Sequence, residues 1–232
     1  MKPPDARHSQ AEDARLLTDQ NELARQEALN GLRQFDAVVE MVEYHLQPEH
    51  RFRFRPSHLL HLHRLALEGI SSYAGTWRPA SIQIEGSRHQ PAGAHRVPEL
   101  IEELCDYVND HWQECTPIHL AAYVMWRLNW IHPFTDGNGR TSRAASYLIP
   151  CLRAGYLLPG KQTIPDQISQ NKKPYYEALE AADAAWSERG TVDLSAMENL
   201  LAELLARQLV EVLDHATGGH VTLPSAKENP SS

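Results

Sequence analysis

The sequence predicts an all-α domain carrying one short β flap, and three observations lead there. Apolar residues recur at three- and four-residue steps over long stretches, which is the period of amphipathic helices. Prolines and glycines fall where those stretches begin and end. One internal stretch alone, "GTWRPASIQIEGSRHQPAGAHRVP", loses the period, and within it Ile82 and Ile84 alternate with polar neighbours. With 232 residues, 42% of them hydrophobic and 22% charged, the chain is large enough for one generous core.

The elements follow in chain order. Residues 1–15 are polar and proline-containing and read as a flexible lead-in. From Leu16, the residues Leu23, Leu29, Leu32, Phe35, Val39, Val42 and Leu46 trace a helix that breaks near Pro48. "PSHLLHLHRLALEG" is a second helix, opened by Pro56 and stopped by Gly69. The aperiodic stretch, about 77–92, reads as an exposed hairpin or flap. Leu100, Ile101, Leu104, Cys105 and Val108 restore the helical period. "TPIHLAAYVMWRLNWI" has Thr116 as a cap and Pro117 at the first helical position, and it is apolar nearly all round, as a buried central helix must be. "TSRAASYLIPCLRAGY" is helical to Gly155, with Pro150 expected to kink it or end it early. "KKPYYEALEAADAAW" and "VDLSAMENLLAELLARQLVEVL" add two more helices, and 217–232 is a polar tail. The domain spans 16–216, with no internal repeat.

Composition excludes several classes of function. A formal charge of −8 argues against general adhesion to nucleic acid. The sequence holds no apolar span of membrane length and no signal-peptide core at its start, which leads us to expect a cytoplasmic protein. The three cysteines, Cys105, Cys115 and Cys151, form neither a disulfide framework nor a zinc pattern. His58, His61 and His63 look like a metal cluster by composition. On a helix, however, His61 and His63 diverge, and no acidic or thiol partner is near, so they read as structural.

The chemistry is concentrated in "HPFTDGNGRTSR", residues 132–143, at the joint between two core helices. Pro133 pushes His132 out of helical geometry towards an extended one, ending the first helix. Phe134 is the loop's large apolar group and should pin it to the core. Gly137 and Gly139 free the backbone around Asn138 to form an anion nest, which feeds into the N–H groups opening the next helix. Arg140 and Arg143, three apart, share a face as two forks for phosphate oxygens. Asp136 beside such a nest is a natural Mg²⁺ ligand, and His132 suits removal of a proton from a hydroxyl. Taken together, base, metal ligand, anion hole and clamps point to group transfer from a polyphosphate.

This segment matches, position for position, the motif His-x-Phe-x-Asp/Glu-Gly-Asn-Gly-Arg-x-x-Arg of the Fic family, and the chain is identified as resembling that family. "LHRLALEGISSYAGTWR", "IQIEGSRHQPAGAHRVPEL" and "KKPYYEALEAAD" resemble its segments before the flap, at the flap and at the adenine side of the nucleotide pocket. The resemblance implies a Fic fold, a bundle of about eight helices with a short β-hairpin flap. It also implies a protein adenylyltransferase, a nucleotidyltransferase that moves AMP from ATP to a Ser, Thr or Tyr hydroxyl of a target protein and releases pyrophosphate.

By matching positions, the resemblance makes His132 the general base and Asp136 the ligand of Mg²⁺, with Mn²⁺ as an alternative. Asn138 and Gly139, next to Gly137, would hold the α-phosphate, and Arg140 and Arg143 the β- and γ-phosphates. Ser81, Ile82, Gln83, Ile84 and Glu85 would be the flap strand that pairs with the target backbone. Tyr176 would pack on the adenine and Asp183 meet the base or ribose. UMP or GMP transfer, removal of AMP, or a vestigial nucleotide-binding module are the alternatives.

Many relatives silence themselves with Ser/Thr-x-x-x-Glu-Gly/Asn. Thr18 and Glu22 have that spacing, but Leu23 replaces the last residue, and Ser195 precedes Glu198 by only three. We therefore read no intact inhibitor, with Glu22 an exposed helical residue, and restraint left to homo-oligomerisation, to a partner or to nothing. Neither a membrane nor a nucleic acid is an expected partner.

Overall fold

A computed structural model of the protein describes residues 9–10, 15–84, 87 and 89–217. Eight α-helices dominate them: α1 (Gln20–His45), α2 (Pro56–Leu67), α3 (Val97–Asp110), α4 (Pro117–Ile131), α5 (Asn138–Ala154), α6 (Ile164–Gln170), α7 (Lys173–Arg189) and α8 (Ser195–Thr217). None of them is long and apolar enough to cross a membrane.

The local chemistry explains the boundaries. Asp19 caps α1 by accepting from the N–H groups of Asn21 and Glu22, both at 2.9 Å, so the helix starts four residues after Leu16. Leu16 itself is tied by its N–H to the Ile70 carbonyl, 2.9 Å away, at the far end of α2. Thr116 caps α4 as expected. Gly155 closes α5 at φ 83°, a left-handed turn that suits glycine. Of the kink or early end expected at Pro150, the early end does not occur, and α5 runs on to Ala154. Its whole middle, Thr141 to Cys151 apart from Arg143, is buried against neighbouring helices, and that packing carries the helix across the missing hydrogen bond.

Helix α4 is the axis of the core. Leu120, Ala122, Val124, Met125, Trp126, Leu128 and Ile131 on it have no exposed surface. Because those positions point in every direction around the helix, neighbours must surround it, and α3, α5, α7 and α8 do. Helices α1 and α2 close the remaining side against α5. Cys105 and Cys151 are buried free thiols, pushed up by burial to about 12 and about 11, so neither is poised as a nucleophile.

The flap carries one short strand, β2 (Gln83–Ile84), in which Ile82 and Ile84 turn inward and Gln83 outward. Its partner comes from far away in the chain. Strand β1 (Ser9–Gln10) pairs antiparallel with it, Ser9 opposite Ile84 and Gln10 opposite Gln83. Part of the stretch expected as a lead-in therefore belongs to the sheet. Residues 1–8 and 11–14 of that lead-in, Glu85, Gly86 and Arg88 of the flap, and the tail beyond Thr217 lie outside the described residues, while Arg15 bridges antiparallel to Ser71.

Candidate active site

The loop 132–137 hangs between the C-terminus of α4 and the N-terminus of α5, and each of its turns has an identifiable cause. His132 ends α4 in the left-handed conformation, φ 52° and ψ 60°, the one positive φ among the described non-glycine residues. The extended geometry expected before Pro133 is thus replaced by a helix-terminating turn, at a cost of about 1–3 kcal/mol that the surroundings must offset. They do so through Arg78, whose Nε donates to the His132 carbonyl at 2.8 Å while its N–H donates to the Pro133 carbonyl at 2.8 Å.

The imidazole of His132 is buried on the cleft wall, with Nδ1 3.2 Å from the Asn129 carbonyl. A proton on Nδ1, donated to that carbonyl, makes Nε2 the basic nitrogen of the neutral ring.

Phe134 is fully buried in a stack. The His63 ring lies 3.7 Å away at 9°, and the Trp77 ring 5.0 Å away at 30°. His63 in turn braces the next residues: its Nε2 is 3.0 Å from the Asp136 carbonyl, and its Nδ1 accepts from the Gly75 N–H at 3.0 Å. This pattern requires the neutral ring with hydrogen on Nε2, and burial pushes its pKa down to about 4. The histidine read as structural is structural, and what it supports is the loop. No group of three or more His, Cys, Asp or Glu among the described residues is arranged to hold a metal.

Asn138 uses its side chain on the loop itself, accepting from the Phe134 N–H at 3.0 Å and donating to the Phe134 carbonyl at 2.9 Å. What it offers an anion is its backbone N–H, in the first turn of α5, where no carbonyl one turn back is available. Gly137, at φ 74°, leaves no room for a side chain, because a Cβ there would sit 2.5 Å from Leu67 Cδ2. At Gly139 the limit is softer, with a Cβ falling 3.1 Å from Arg143 Nη1.

The two arginines share the cleft but not their partners. Arg140 pairs with Asp136 Oδ2 at 3.1 Å and with Glu27 Oε1 of α1 at 3.0 Å. Arg143 is desolvated, which lowers its pKa, while the hydroxyls of Tyr175 and Tyr176 oppose that shift; a guanidinium stays charged regardless. Asp136 receives the Gly137 N–H on Oδ1, 2.5 Å away, and stays half-exposed on the cleft wall. One carboxylate of this kind fits a divalent cation that also takes phosphate oxygens and water, and does not fit a cage built by protein alone.

All seven motif groups, His132, Asp136, Gly137, Asn138, Gly139, Arg140 and Arg143, line a single cleft of about 1070 Å³. Tyr176 lines it from α7, together with Tyr175 and Lys172. Asp183 is placed elsewhere, its Oδ1 accepting from the Trp126 indole N–H at 2.9 Å. Ile84 reaches the cleft from the flap. Glu22 is exposed on the first turn of α1, and the acidic residue of α1 that does reach the motif is Glu27.

Sequence reasoning missed Arg78, Glu27, and the buried Asn129, whose amide nitrogen lies 2.8 Å from both Ser142 Oγ and Tyr175 Oη and so fixes α4, α5 and α7 beneath the site. An isolated asparagine in an apolar helix was the available signal for the last of these.

Comparison with known proteins gives this geometry its context. Residues 53–149 match the model of the Fic/DOC family. The protein adenylyltransferase Fic of Drosophila persimilis is 33% identical over 127 residues, covering 54% of this chain and 23% of that protein. The protein adenylyltransferase fic-1 of Caenorhabditis elegans is 28% identical over 152 residues, 64% of this chain and 28% of that protein. The chain thus spans about a quarter of the length of these relatives.

Among solved structures, a Fic domain-containing signalling protein from Bacteroides thetaiotaomicron superposes with a TM-score of 0.64 at 24% identity, covering 83% of this chain and 74% of that one. Fic-1 from Caenorhabditis elegans gives 0.64 at 24% identity, over 87% and 54%. These likenesses establish a shared fold.

Proposed function

We propose that this chain, whose residues 53–149 match the Fic/DOC family, is a protein adenylyltransferase, transferring AMP from ATP to a Ser, Thr or Tyr hydroxyl of a protein target. The observation that carries this reading is the single cleft in which the His132 imidazole, the N-terminal amides of α5 and two guanidinium groups converge. A base, an anion hole and charge clamps around one volume suit transfer from a polyphosphate, where positioning and charge neutralisation supply most of the rate.

In the proposed reaction the hydroxyl oxygen of the target forms a bond to the α-phosphorus, and the bond from that phosphorus to the bridging oxygen of pyrophosphate breaks. His132 takes the hydroxyl proton on Nε2, its Nδ1 hydrogen meanwhile keeping the ring aimed through the Asn129 carbonyl. The backbone N–H groups at Asn138 and Gly139 hold the α-phosphate, and Arg140 and Arg143 hold the departing pyrophosphate. Arg140 exchanges its contacts with Glu27 and Asp136 for phosphate oxygens. Asp136 would hold Mg²⁺, or Mn²⁺, which when bound supplies neutralising charge beside the phosphates.

Tyr176 is the better supported of the adenine-side candidates, since it lines the cleft. Asp183, held by Trp126, drops out of the proposal. The target chain docks along the flap, on the edge of β2 that β1 does not occupy.

The test is incubation with Mg²⁺, cell lysate and ATP labelled at either the α- or the γ-phosphate, using wild type and His132→Ala. Protein labelled from the α-position only, and lost in the variant, supports the reading. Label from the γ-position alone would overturn it in favour of a kinase.

A further inference from the structure

Arg78 lies outside the 132–143 motif and outside every helix, yet it is almost wholly enclosed. Its side chain is buried, at 2% exposure. The guanidinium spreads over three backbone carbonyls: Nε donates to His132 at 2.8 Å, Nη1 to Ala80 at 2.9 Å, and Nη2 to Ala92. Ala80 and Ala92 are the two roots of the flap, and His132 is the base. We infer that Arg78 is a positioning residue that locks the flap and the catalytic loop into one rigid unit, so that a strand carried by the flap is held in register with the His132 imidazole. The inference rests on the roles proposed above for the flap and His132.

The chemistry of the arrangement favours this over simple packing. Burial lowers the Arg78 pKa, and among the described residues the hydrogen bonds of its guanidinium go to carbonyl oxygens. A buried cation balanced only by carbonyl dipoles is expensive, and an apolar side chain would fill the same space at lower cost. What an apolar residue cannot do is hold three carbonyls from three separate segments in fixed relation, which five N–H donors in a planar fork can do.

The carbonyl of His132 also needs such a partner, since the left-handed turn carries it out of line with the α4 axis. A second tie runs in parallel, with His89 Nε2 of the flap lying 2.7 Å from the carbonyl of Trp130 in the last turn of α4. Both ties join the flap to the end of α4 that delivers His132, and both use backbone carbonyls that a helix C-terminus leaves without intrahelical partners.

The full-length protein and its Arg78→Lys and Arg78→Gln variants test this, first without any substrate. The readouts are backbone amide exchange over residues 79–92 and the imidazole NMR signals of His132. In Arg78→Lys we expect flap exchange to speed up by about tenfold and the His132 ring signals to shift, while protection of α3, α4 and α8 stays as in wild type. Unchanged flap exchange with unchanged His132 signals would overturn the inference. So would an even loss of protection across every helix, since that is what a merely structural residue produces.

These readouts stand whether or not adenylylation is the reaction. If α-label transfer is observed for the wild type, Arg78→Lys should lower it by about 100-fold with binding of a non-hydrolysable ATP analogue unchanged. Added guanidinium ion at millimolar concentration should restore part of the rate in Arg78→Ala. An Arg78→Lys variant that transfers label at the wild-type rate would also overturn the inference.

Discussion

The loop at 132–137 and the flap at about 77–92 face the same cleft but are built on opposite principles. The loop is strung between two buried helices and braced at almost every residue by His63, Arg78, the Phe134 stack and the Asn138 side chain. Among its described residues the flap has a two-residue strand and no helix, and the side chains of Arg78 and His89 tie it to the end of α4. The contrast teaches where each kind of precision is needed. Groups that handle a proton and a phosphate have to be placed to a fraction of an ångström. A docking edge works through main-chain groups, which every sequence carries.

The comparison can be broken in several places, beginning where the effect should be largest. His132→Ala should lower α-label transfer by roughly 10²–10⁴-fold while the fold stays intact, measured by initial rates beside a circular dichroism melt. Phe134→Ala removes the ring clamped between His63 and Trp77, and should cost roughly 3–5 kcal/mol in urea unfolding.

A third prediction concerns pH. His63 is neutral in both folded and unfolded chains at pH 7. As pH falls below the ordinary 6.5, the unfolded chain takes up a proton that the folded one refuses until about 4. Stability should therefore fall through that window, by up to roughly 3 kcal/mol from this residue. In His63→Phe, which keeps the stack but loses the ring nitrogens, unfolding titrations at pH 7, 5.5 and 4.5 should show a flatter slope than wild type; an identical slope would remove His63 from the account.

Smaller effects sharpen the picture. Glu27→Gln frees Arg140 from one half-exposed partner, so affinity for a non-hydrolysable ATP analogue should rise by about two- to fivefold in calorimetry. Gln83→Ala, outward on the flap strand, should change unfolding stability by less than about 0.5 kcal/mol, in keeping with an edge that works through its backbone.

How much of this was legible in the sequence follows the same division. The α4–loop–α5 unit was readable because its causes are local: Thr116 and Pro117 open α4, Pro133 ends it, and the glycines with Asn138 start α5. Helix α6 was missed because seven residues give too few turns for a period, although Thr163 and Asp166 form a capping box at its start.

Arg78 and Glu27 were unreadable for a different reason. Their meaning lies in partners 54 and 113 residues away, and nothing near them in the chain marks a buried arginine or a bridging glutamate. The run through Pro150 and the pairing of β2 with Ser9–Gln10 are likewise tertiary outcomes, in which packing or a distant strand overrides local preference.

The central claim is that the cleft directs attack at the α-phosphorus with His132 as base, and the by-product tests it most directly. Nucleotide products should be quantified alongside modified protein in one reaction of the wild type and one of His132→Ala. The account predicts one pyrophosphate released for each AMP attached, and neither in the variant. Release of ADP in step with modification, or modification that persists undiminished without the imidazole, would contradict it.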